Sequence, residues 1–156
     1  MSPTPARCLI LACGNTLRGD DGVGLWLAEW TEKRFSTQAG VRVIADHQWT
    51  PELAEDVARA ESVLFIDCSV DSLPGSVTLT PVHPVSGGPE HNSHHLDAAE
   101  LLALGHELYR SLPRNALSLT IGAGSIELGE VFSDPVNAAL PEACNLIEST
   151  IQAWMQ

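Results

Sequence analysis

The sequence predicts an α/β protein: a three-layer α/β/α sandwich around a twisted, largely parallel (mixed) sheet of about five strands. Two observations carry that expectation. Short apolar runs alternate along the chain with segments of helical periodicity, the order expected of a sheet covered by helices. Several of those runs are apolar without a break, as strands buried on both faces read. With 156 residues, 44% hydrophobic and 18% charged, the composition is that of one globular domain spanning 1–156. No linker, repeat or low-complexity tract divides it.

The elements follow in order. Residues 7–13 form a nearly continuous apolar run that stops at Gly14. Over 22–34, Val23, Trp26, Leu27 and Trp30 recur at helical spacing, and Asp20 and Asp21 stand at the front, where carboxylates suit the helix dipole. Residues 41–46 make a second strand. Thr50 and Pro51 then suit the cap and first turn of a helix carrying Leu53 and Val57 on one face. A third strand, 62–67, is apolar up to Asp67, and a fourth is expected over 75–82 after the Leu73-Pro74-Gly75 turn. A polar loop over 84–92 precedes a helix over 94–108, with Leu96, Leu101, Leu102, Leu104 and Leu108 at helical spacing. Residues 116–121 complete the sheet before Gly122-Ala123-Gly124, and 135–155 form a last amphipathic helix with a jog near Pro141.

Charge narrows the function. Twenty acidic residues against eight basic ones give a net charge of -12, and Lys33 is the only lysine. Nucleic acid and anionic membrane both require clustered cations, so neither is an expected partner. Apolar stretches are far shorter than a membrane span, and the N-terminal residues do not form a signal peptide. Cys8, Cys13, Cys68 and Cys144 show neither CxxC nor zinc-finger spacing, which points to free, packed thiols in a reducing, cytoplasmic setting. Nothing demands more than a monomer.

In open α/β sheets, ligands bind beyond the carboxyl ends of the strands. The first such loop, Gly14-Asn-Thr-Leu-Arg-Gly-Asp-Asp-Gly-Val-Gly24, has the glycine content of a phosphate loop. Asp20 and Asp21 stand where phosphate needs Lys and Ser or Thr, so the loop attracts a cation instead. Leu27 also spoils a dinucleotide fingerprint. Asp21, Asp67 and one histidine of the 91–95 loop would offer a mixed oxygen and nitrogen set, which leaves the identity of the metal open. Taken singly, Asp21 could be a helix-start carboxylate and Asp67 a strand-end cap. On a helix beginning near Ser93, His94 and His95 point about 100° apart, so one of them would serve, and spacing does not choose which. His47, His83 and His106 read as surface or turn residues. Cys68 with His94 could form a cysteine hydrolase, although no GxSxG elbow surrounds it.

The motif GNxLxxDDGxG after an N-terminal strand, a strand ending in Asp67, and Ser93-His94-His95-Leu96 opening a helix together resemble the NiFe hydrogenase maturation proteases. These endopeptidases trim the C-terminal extension of the hydrogenase large subunit. The likeness spans nearly the whole chain, including Gly122-Ala-Gly124 and Ser133-Asp-Pro-Val136. It implies that Asp21, Asp67 and His94 bind the nickel already installed in the precursor, with His94 chosen because the family histidine precedes a leucine by two. Nickel is thus supplied by the substrate, and no organic cofactor is implied. Asp21 and Asp67 are the implied catalytic residues, in metal- and carboxylate-assisted or aspartic-type hydrolysis; a rival reading makes them recognition groups only. A non-cleaving, nickel-checking chaperone is the alternative function. The segment 45–53 departs from the family's usual Asp-Gly-Gly-Thr-like stretch, resembles the branch serving soluble-type hydrogenases, and offers Trp49 as a candidate substrate anchor, although such aromatic residues more often simply pack.

Overall fold

The computed structural model describes residues 6–85 and 96–156. Its core is a five-stranded sheet: β1 (Cys8–Cys13), β2 (Val41–Asp46), β3 (Ser62–Ser69), β4 (Val77–Pro81) and β5 (Asn115–Gly122). Four helices complete it: α1 (Val23–Arg34), α2 (Ala54–Arg59), α3 (Ala98–Tyr109) and α4 (Asp134–Trp154). The strand order is β2-β1-β3-β5-β4, parallel throughout except for β4, which runs antiparallel to β5. An α/β sandwich with a mixed, mostly parallel sheet is therefore what the chain adopts.

The two faces of the sheet are written in the strands' alternation. Cys8, Ile10 and Ala12 of β1, with Leu64 and Ile66 of β3, pack against Val23 and Leu27 of α1 and Ala143 and Ile147 of α4. Leu9 and Leu11, with Val63 and Phe65, pack on the other side against Val57 of α2 and Leu101 and Leu102 of α3. Both faces are covered, which is why these runs contain no polar residue until they end.

Several boundaries differ from the sequence expectation. The third helix starts at Ala98, not near Ser93, because Asp97 and Glu100 form a reciprocal capping box: Glu100 N–H donates to Asp97 Oδ1 at 2.8 Å and Asp97 N–H to Glu100 Oε1 at 3.1 Å. The 100° argument for His94 and His95 loses its basis, and both residues lie outside the described ones. Thr50 is extended and its side chain does not cap; Pro51–Leu53 form a 3-10 turn that leads into α2. Helix α4 runs through Pro141 without a break. Both Pro141 and Asn137 are exposed, so the carbonyl that loses its partner can turn to water. Trp30 packs against the core, whereas Trp26 remains 39% exposed.

Candidate functional site

The connections from β1 diverge: β2 lies on one side of it and β3 on the other. Open α/β sheets hold their ligands in the crevice beyond the carboxyl ends of the strands at such a switch point, here the ends of β1 and β3. The glycine-rich loop leaves β1 there, and Asp67 sits near the end of β3.

Each motif residue has a local job. Asn15 Oδ1 accepts a hydrogen bond from Leu17 N–H at 2.9 Å, closing a tight turn. Asn15 N–H donates to both the carbonyl and the carboxylate Oδ2 of Asp21, each at 3.1 Å, which folds the loop back on itself and fixes Asp21. The loop then closes into a 3-10 turn over Gly19–Gly22. Gly24 lies in the first turn of α1 directly against the sheet. A Cβ there would stand 2.4 Å from the Cys13 carbonyl oxygen and 3.3 Å from that of Ile66. No other residue lets α1 seat so closely over β1 and β3.

The two adjacent aspartates have opposite fates. Asp20, expected with Asp21 to face a cation, is fully buried. Its Oδ2 accepts from Gly124 N–H, Ser125 N–H and Ser133 Oγ–H at 2.7, 2.9 and 2.7 Å, and its Oδ1 from Ser133 N–H at 2.7 Å. Burial alone would raise this carboxyl; the Ser133 hydroxyl and the three N–H donors outweigh it and hold the pKa below the ordinary value. Asp20 is a clamp between the first crevice loop and the β5–α4 loop. A parallel bridge between Arg18 and Gly129, with Gly19 N–H donating to Gly129 O at 2.8 Å, extends the same junction. Nothing local in the sequence marks Asp20 for this, because its partners lie more than a hundred residues away.

Asp21 and Asp67 are half-buried on the same edge of the sheet, and the charge of Asp21 acts on Asp67. Asp67 Oδ1 accepts one hydrogen bond, from Thr120 Oγ1 at 3.2 Å. Burial pushes its carboxyl up to about 6, with Thr120 pulling back and the charges of Asp21 and Asp97 adding to the rise. Cys13 and Cys68 flank the pair. Burial, followed by the nearby carboxylates, pushes both thiols up to about 12, so they are protonated at neutral pH and unsuited to act as nucleophiles. All four cysteines are free.

Among the described residues, no three His, Cys, Asp or Glu side chains gather closely enough to hold a metal. His94, the third predicted ligand, lies outside them, so the described part of the site is the carboxylate pair alone. Trp49 is not on the surface: it is 3% exposed and packs edge-on against Phe65, ring centroids 5.3 Å apart. A substrate anchor at Trp49 is thereby corrected to a core residue. His47, His83 and His106 are exposed, as expected. No helix among the described residues is long and apolar enough to cross a membrane.

No family model matches the sequence, and no curated relative is similar to it. Solved structures are. The hydrogenase maturating endopeptidase HybD from E. coli is similar with a TM-score of 0.78 and 20% identity, covering 94% of this chain and 93% of that one. The NiFe hydrogenase maturation protease HybD from Thermococcus kodakarensis is 28% identical, with a TM-score of 0.63, covering 92% of this chain and 98% of that one. The maturation protease HycI from the same organism is 21% identical, with a TM-score of 0.67 and coverage of 97% and 94%. In fold, as in the loop motif that shapes its crevice, the chain resembles the NiFe hydrogenase maturation proteases.

Proposed function

We propose that the chain is an endopeptidase that removes the C-terminal extension from the nickel-loaded precursor of a NiFe hydrogenase large subunit, acting as a monomer in the cytoplasm. One observation supports the reading: Asp21 on the loop after β1 and Asp67 at the end of the adjacent β3, far apart in sequence, lie on the same edge of a fold shared with solved hydrogenase maturation proteases. A carboxylate like Asp67, desolvated and given one hydrogen bond, gains from a cation that enters the crevice. The cation is nickel carried by the substrate, held by Asp21, Asp67 and His94. A precursor without nickel brings no such partner, and ~1.4 kcal/mol of lost binding already discriminates tenfold.

In the chemistry we favour, water attacks the peptide carbonyl while the substrate's cation polarises the carbonyl oxygen. A crevice carboxylate takes the water's proton and returns it to the departing amine. The thiols take no part.

Mass spectrometry of nickel-loaded and nickel-free precursors after incubation tests the reading. The expected result is loss of the C-terminal peptide from the nickel-loaded form alone, abolished by Asp21→Asn and by His94→Ala. A precursor that binds yet keeps its extension would make the chain a nickel-checking chaperone. Normal cleavage by both variants would remove these residues from the site.

A further inference from the structure

Beyond the carboxylate pair, the same edge of the molecule carries apolar side chains that the fold does not bury. Eleven large hydrophobic residues are exposed among the described ones, and six stand on the loops that leave the adjacent parallel strands β1, β3 and β5 at their carboxyl ends. They are Leu17, then Val70 and Leu73, then Ile126, Leu128 and Val131. Leu73, Leu128 and Val131 are about 80% exposed, at 80%, 79% and 82%. Isolated exposed apolar residues are ordinary; a concentration around the mouth of one crevice marks an interaction surface.

The loops that present them are held in place. Asp20 fixes both ends of the β5–α4 loop through Gly124, Ser125 and Ser133. Gly129 N–H donates to Leu17 O at 2.9 Å, which ties its middle to the first loop. Gly75 N–H donates to Gly122 O at 2.8 Å, and Ser76 N–H to Leu73 O at 3.0 Å. Leu73, Leu128 and Val131 therefore project from a framework with its backbone already bonded, and binding need not order it first.

Charge selects the occupant. Leaving aside the buried Asp20, segments 14–22, 67–76 and 123–133 carry Asp21, Asp67, Asp71, Glu127 and Glu130 against Arg18 as their one basic residue. Resting on the processing function proposed above, we infer that this rim docks a polypeptide segment of the precursor in which apolar side chains alternate with lysine or arginine. The rim supplies affinity for the protein substrate outside the carboxylate pocket, and so governs KM with little effect on kcat.

The test uses the full chain and the nickel-loaded large-subunit precursor. A Leu73→Ser/Leu128→Ser/Val131→Ser variant should raise KM about tenfold or more, because truncating interface anchors commonly costs that much, with kcat within about twofold. Leu128→Ser alone, which keeps the experiment decisive if the triple variant fails to fold, should raise KM about threefold, as should Glu127→Gln/Glu130→Gln. Unchanged KM in Leu128→Ser and the charge variant, with wild type cleaving normally, would overturn the rim while leaving the processing function intact. Absence of wild-type cleavage and binding would overturn both. A wild-type dimer that the Leu128→Ser variant disperses would assign the rim to a second copy of this chain and overturn the inference.

Discussion

Asp20 and Asp67 occupy the same edge of one sheet, both are withdrawn from water, and they hold their charge in opposite ways. Asp20 accepts four hydrogen bonds and is lowered; Asp67 accepts one and is raised to about 6. A buried carboxylate met by four donors is a fastening, since its charge is satisfied within the protein. One left short of donors is unfinished, and its free energy improves when something else completes it. On the proposed function, hydrogen-bond satisfaction separates structure from chemistry where residue type does not.

The sharpest challenge to this contrast is Asp67→Asn. On the proposed function, cleavage of the nickel-loaded precursor should fall by about a thousandfold or more, equivalent to ~4 kcal/mol of barrier. The folded protein should meanwhile become more stable at neutral pH. Loss of both activity and stability would mean that Asp67 is a structural group after all. Asp20→Ala should act in the reverse sense, lowering stability in urea by about 3–5 kcal/mol because it strands three backbone N–H groups and a hydroxyl.

Acid titration probes the same pair without removing either. For Asp67 the pKa rises on folding, from 3.8 to about 6, so the native state binds the extra proton between those values. Its charged form therefore costs stability above pH 6, and that cost fades as pH falls toward 4. The advantage of Asp67→Asn over wild type should grow as pH rises from 4 to 6, by up to about 3 kcal/mol, an upper bound for a half-buried group. Asp20 has the opposite sign: its contribution is present above the ordinary carboxylate range and is lost as pH falls through its lowered value. Urea midpoints of wild type and the two single variants across this range would resolve both. Gly24→Ala should cost about 1–3 kcal/mol by the same measurement, since a Cβ meets the Cys13 carbonyl. Smallest of all, Cys68→Ser should leave cleavage within about threefold, because a thiol pushed up to about 12 supplies no thiolate to lose.

The centre of the sheet was legible because β1 and β3 have apolar neighbours on both faces, so Cys8–Cys13 and Ser62–Ile66 announce themselves without context. The start of α3 was not. Leucines at helical spacing continue upstream to Leu96, whereas the Asp97 capping box ends the helix two residues short of it. Asp21 was readable as a carboxylate in the loop before a helix and Asp67 as one at a strand end, and the topology brings both to the same edge of the sheet. Asp20 was misread because a motif shows two identical neighbours, while their difference lies with Gly124, Ser125 and Ser133 at the far end of the chain. Trp49 left two readings open for a related reason: a tryptophan in a divergent stretch looks available as an anchor until the Phe65 ring that receives it decides for packing.

The Asp20 fastening also sets a schedule. The residues that hold the first loop are among the last third to leave the ribosome, so a nascent chain has its carboxylates long before it has the frame around them. A truncated or half-made copy, even with Asp21 and Asp67 in its sequence, would lack an assembled crevice.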